Sequence, residues 1–146
     1  MKKNKNIAFL IINILVPLLL GTLIYYFISP DVIFVKRIDT FIGNGIHFNN
    51  IDNKLWIIKF VRNYLLDMLW GYALVFALKL IFNNNAADTL KIFVIAVAFS
   101  AVMEILQITP IAQGTFDVLD ILVEILAEVT AVFIIKKHFL EEVKEI

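Results

Sequence analysis

Four long apolar stretches run along the chain, each broken by few polar side chains and separated from the next by residues that stop helices. Residues 7–28 carry no charge and are interrupted only by Asn13, Pro17 and small polar residues, enough length at about 1.5 Å per residue to cross a bilayer. Lys2, Lys3 and Lys5 precede this run as they would in a signal peptide. The run exceeds the usual core of about 7 to 15 residues, and no A-x-A site follows, so an uncleaved anchor is expected. The other three stretches predict spans at about 60–82, 90–108 and 116–135. Asp52 and Asp88 are placed to cap the second and third helices, and Pro110 with Gly114 makes the turn into the fourth.

The outer loop, 29–56, opens with Ser29-Pro30-Asp31, a helix-start pattern. Phe34, Ile38, Phe41 and Ile42 follow at helical spacing, with Lys36, Arg37 and Asp39 between them, which predicts a short helix lying in the membrane interface. The expected fold is therefore all-α: a four-span membrane bundle in one domain, with that interfacial helix and a charged tail over 136–146. Lys2, Lys3, Lys5, Lys79, Lys91, Lys136, Lys137 and Lys144 lie on one side, against Lys36, Arg37, Lys54, Lys59 and Arg62 on the other. This excess places both termini in the cytoplasm.

Composition agrees. Of 146 residues, 61% are hydrophobic and 18% charged, with a mean hydropathy of +0.88, against about 45 to 50% apolar and about 25% charged in soluble domains. The absence of cysteine excludes disulfides and thiol chemistry, and two histidines argue against a histidine metal site. Thirteen basic residues balance thirteen acidic ones, so the basic footprint of a nucleic-acid binder is missing.

Candidate chemistry lies in acids within or at the edge of the spans: Asp67, Glu104, Asp117, Asp120, Glu124 and Glu128. An acid at a span centre costs around 2.5 to 3.5 kcal/mol and therefore usually faces the bundle interior. At about 100° per residue, Asp117, Asp120, Glu124 and Glu128 form one stripe about 80° wide. Glu104 and Gln107 share a face of the third helix, and Lys59, Asn63 and Asp67 step by four along the second. These seams predict a polar cleft opening away from the cytoplasm, with Lys59 and Arg62 at its mouth as counter-charges or headgroup contacts. Asp117 also fits an N-cap with Asp120 at N3, and Glu124 and Glu128 could instead be buried contacts to Asn13 or Lys79. The acidic file is not expected to be fully ionised without a counter-ion. Trp56, Trp70 and His47 read as belt, packing and surface residues.

Glu104-x-x-Gln107, the turn with Gly114, and Phe116-Asp117-x-x-Asp120, together with Asn63-Tyr64-Leu65-Leu66-Asp67-Met68-Leu69-Trp70, resemble the VanZ-like family of small bacterial membrane proteins over about residues 60–130. Many members carry proline at the position of Leu66, arginine at Thr115, asparagine at Glu124 and glycine at Ala127, so this chain has a more acidic fourth helix and lacks that arginine. The family is named for a protein that lowers sensitivity to a glycopeptide antibiotic. The resemblance implies a cell-envelope protein of the bacterial cytoplasmic membrane, not a defined reaction.

The expected function is binding of an amphiphile, a lipid headgroup or a wall precursor in that cleft, with membrane lipids as partners and a cell-wall precursor or glycopeptide as a further one. No nucleic acid and no cofactor are expected, a bridging divalent cation being the one alternative. An intramembrane hydrolase using Glu104 with Asp117 or Asp120, and a proton- or cation-coupled transporter using Asp120, Glu124 and Glu128, stay open.

Overall fold

The computed structural model describes residues 2–28, 33–42, 56–82, 89–109 and 116–144. Among these there is no strand. The elements are α1 (Lys2–Ile28), α2 (Ile33–Ile42), α3 (Trp56–Phe60), a π-helical turn (Val61–Leu65), α4 (Leu66–Phe82), α5 (Thr89–Gln107) and α6 (Val118–Lys144). The proposed caps Asp52 and Asp88, the turn residues Pro110, Gly114 and Thr115, and His47 and Lys54 lie outside the described residues.

Two helices, over Asn6–Ile28 and Thr89–Gln107, are long and apolar enough to cross a membrane. Beside an apolar core, the interior holds several charged and polar side chains, and many large apolar ones face outward. Lys79, Thr89, Ser100, Glu104, Glu124 and Glu128 are buried, while Leu19, Leu23, Val94, Val102, Leu126 and Phe133 are exposed. Water would penalise that arrangement at about 25 cal/mol per Å² of exposed apolar surface, whereas hydrocarbon does not. Each helix buries a narrow stripe set by its sequence. On α5 the stripe is Ile92, Ala96, Ser100 and Glu104, each four residues from the last, and on α6 it is Glu124, Ala127, Glu128, Ala131 and Ile135. Residues three or four apart share a helix face, so small and polar side chains meet at the seam and large apolar ones point outward.

The helix α4 is the hub. It packs along α1 on one flank and along α6 on another, while α5 lies against both α4 and α6. Gly71 marks a close approach of α4 to α6: a Cβ there would stand 3.4 Å from the Cβ and the carbonyl oxygen of Glu124. Small residues commonly permit such backbone contact between membrane helices. Toward the other end, Leu10, Val75, Phe76, Ile92, Ala131 and Ile135 form the apolar core. Phe9 stacks on His138 at 3.8 Å there, and Lys79 lies 5.3 Å from the centre of the Phe139 ring.

The helix α6 extends beyond the apolar stretch, through Lys136 and Lys137 to Lys144, since nothing in that segment breaks a helix. Residues 56–82 form one continuous helical path interrupted by the π turn, with Phe60 and Leu66 on either side both in right-handed helical conformation. The short helix α2 occupies the segment expected to be helical, and Asp39 on it accepts a 3.1 Å hydrogen bond from Tyr26 Oη of α1.

Between α1 and α4, Tyr72 Oη donates to Asn13 Oδ1 at 2.6 Å, while Asn13 Nδ2 donates to the Phe9 carbonyl at 2.9 Å. Asn13 is thus satisfied within α1 and α4 and contacts neither Glu124 nor Glu128 by these bonds. Tyr72→Phe is expected to lower stability by about 1 kcal/mol, the usual net worth of one such bond. Unfolding in mixed detergent micelles measures this, and an unchanged midpoint would mean that the bond contributes nothing to α1 docking.

Candidate functional site

The acids predicted from the sequence converge where α4, α5 and the start of α6 meet. Asp67 lies just below the π turn on α4, Glu104 one turn from the end of α5, and Asp117, Asp120 and Glu124 at the start of α6. Asp67, Glu104, Asp120 and Glu124 lie within Coulombic range of one another. Glu104 and Glu124 are buried, and Asp67, Gln107, Asp117 and Asp120 are half-buried.

Glu104 is the most engaged of them. Its Oε1 accepts a 2.6 Å hydrogen bond from Gln107 Nε2, and its Oε2 faces the Asp117 backbone N–H at 3.5 Å. The i, i+3 spacing brings Gln107 onto the face of Glu104. The second contact ties the end of α5 to the start of α6 across the turn.

Asp117 is committed to the helix it opens. Its Oδ1 accepts from the Leu119 N–H at 2.9 Å, and its carbonyl from the Asp120 N–H at 3.2 Å. This is an N-cap with Asp120 at N3, where the helix dipole favours a negative charge. That bond engages one of the two carboxylate oxygens of Asp117.

Of the expected counter-charges, Lys59 is exposed on α3, and the side chain of Arg62 lies outside the described ones. The π turn nevertheless affects Lys59. Eight regular helical steps of about 100° would put Lys59 and Asp67 roughly 80° apart, and the one residue absorbed by a π turn reduces this to about 20°. Lys79 is buried, but its ammonium lies against Phe139. Phe139 stands eleven residues beyond Glu128 on α6, about 16 Å along the axis, so Lys79 is not the partner of Glu128 that the sequence left open.

Deeper in the seam, Ser100 Oγ donates to Glu128 Oε1 at 3.0 Å. Ser100 also lies within hydrogen-bonding reach of Glu124, and Glu124 and Glu128 sit within Coulombic range of each other. Sequence reasoning passed over Ser100 because serine is unremarkable within an apolar helix. Its one signal was the four-residue step from Ala96 through Ser100 to Glu104.

A second element of the site was invisible in the sequence because it depends on how α1 and α4 pair. Pro17, Gly21 and Tyr25 of α1 and Leu66, Leu69 and Trp70 of α4 line an open, mainly apolar groove of about 330 Å³. A Cβ at Gly21 would meet the side chains of Leu66 and Leu69 at 3.8 Å, an ordinary contact. This volume is at the small end of ligand sites. The groove and the acids occupy different flanks of the same turn of α4, Leu66 to Trp70.

Comparison with models of known families, with curated proteins and with solved structures gives no significant match.

Proposed function

We propose that the chain is a four-span, VanZ-like protein of the bacterial cytoplasmic membrane, with both termini in the cytoplasm, that binds an amphiphile carrying a cationic amine in its headgroup. Chain and headgroup would use different flanks of one helical turn. The observation that carries this reading is the position of Asp67 on the turn whose Leu66, Leu69 and Trp70 wall the apolar groove. An acyl chain in the groove puts its headgroup at the level of Asp67, Asp120 and Glu104, where carboxylates lack basic partners in the described contacts and an amine supplies one.

The lysine distribution orients this end away from the cytoplasm. In the same frame α4 and α6 run inward and α1 and α5 outward, and Trp70 and Tyr25, both exposed at the groove, occupy the outer half where amphipathic aromatics are favoured.

A photoactivatable alkyl amine, compared with the same chain ending in a sulfate, tests the proposal on the full-length protein in neutral detergent. The amine probe is expected to label peptides containing Tyr25 or Trp70, and Asp67→Asn to reduce that labelling several-fold. Equal labelling by the sulfate probe, or labelling indifferent to Asp67→Asn, would defeat the proposal.

A further inference from the structure

Glu128 is completely buried, and Glu124 is 6% exposed. The Oε2 atom of each is buried and has no hydrogen-bond partner. We propose that Glu124, Glu128 and Ser100 form a buried site for one small monovalent cation, a sodium ion or a proton, between α5 and α6.

Donors are too few for the acceptors. Two carboxylates present four oxygens, and the Ser100 hydroxyl, which carries a single proton, gives it to Glu128 Oε1. The two buried Oε2 atoms are left with no hydrogen to occupy them. An ionised carboxylate without a partner in a low-dielectric interior costs several kcal/mol, and two adjacent ones cost more. A single positive charge between Glu124 and Glu128 removes most of that cost, satisfies the oxygens, and finds a further ligand in Ser100 Oγ.

The surroundings leave this role to a small ion. Among the described residues, the charged groups facing the site at the acidic end are Asp67 on α4, Glu104 on α5 and Asp120 on α6, all of the wrong sign. On the other side, Lys79 of α4 has its ammonium at Phe139. From α1, Asn13 is engaged with Tyr72 and Phe9. A calcium ion takes six to eight oxygens and magnesium near-octahedral coordination, more than two carboxylates and one hydroxyl provide. Among the described residues no group of three or more acidic, histidine or cysteine side chains is arranged to hold a metal.

This inference concerns the seam between α5 and α6 and stands apart from amphiphile binding at the α1–α4 groove. Its test is infrared difference spectroscopy of the purified full-length protein at pH 7, in a buffer whose only added cation is the bulky N-methylglucammonium. A carbonyl-stretch band of a protonated carboxyl is expected, absent from Glu128→Gln and shifted in frequency in Ser100→Ala. Its loss on addition of sodium identifies a site shared by both ions, and its persistence identifies a proton site. Absence of the band in the sodium-free wild type would overturn the proposal, because both carboxylates would then be ionised with nothing between them. As a check on folding, Glu128→Gln is expected to keep the wild-type unfolding midpoint, since glutamine mimics the neutralised acid. A large loss of stability in that variant would also count against the site.

Discussion

Replacing Glu104 with leucine is expected to make the protein about 2 kcal/mol less stable than replacing it with glutamine. Glutamine keeps one acceptor oxygen, for Gln107 Nε2 or for the Asp117 amide, whereas leucine leaves both donors without one, at about 1 to 3 kcal/mol for each donor that water does not reach. Both substitutions remove the same charge from the neighbourhood of Asp67, Asp120 and Glu124. The difference between them therefore isolates the hydrogen bonds from the repulsion. Glu104→Gln is expected to stay close to the wild type in stability, because removing a like charge offsets the one hydrogen bond lost, while losing about tenfold in affinity for a cationic amphiphile, equivalent to about 1.4 kcal/mol. Unfolding in mixed micelles and probe competition measure the two quantities. Equal midpoints for leucine and glutamine would show that Glu104 does not hold α5 to α6.

The second large effect is expected at Gly71. The contact at 3.4 Å to Glu124 Cβ and its carbonyl oxygen leaves room for a methyl group at the edge of van der Waals contact, and alanine recovers about 1 kcal/mol of helix propensity. Gly71→Ala should therefore be close to neutral. Leucine adds three further carbons against a helix backbone, which cannot turn aside as a side chain can. Gly71→Leu is expected to cost about 3 kcal/mol through overpacking and to separate α4 from α6, taking Asp67 away from Glu124. Wild-type stability in the leucine variant would mean that the two helices are not packed at this point.

The helical elements were largely legible in the sequence, and the reason is physical. A membrane helix satisfies its own backbone, so length and hydropathy carry the signal without reference to partners. That logic identified segments close to α1, α4, α5 and α6, with α2 from its amphipathic spacing. The convergence of Asp67, Glu104 and Asp120 could also be anticipated, because a short turn and helical phase constrain where α5 and α6 meet. The rest depended on which helices pair. Nothing in Pro17, Gly21 or Tyr25 indicates that they face Leu66 and Trp70, and Gly71 matters only because Glu124 lies opposite. Lys79 and Asn13 were eligible partners for the buried acids on composition. They are engaged elsewhere because α4 sets Lys79 against Phe139 and Tyr72 against Asn13. Loss of hydropathy after Ile135 ends an apolar stretch but does not end a helix, so α6 runs on past it.

The π turn at Val61–Leu65 gives the chain an unequal tolerance to changes in its length. A π turn holds one residue more than the regular turn it replaces. Deleting one residue within it restores an ordinary helix and leaves Trp56–Phe60 and Leu66–Phe82 in their present angular relation. The same deletion inside α4 rotates everything on one side of the cut by about 100° and turns a buried stripe outward. The segment that introduces the acidic end is thus the place in this helix where the coding sequence can lose a codon without re-phasing the bundle below it.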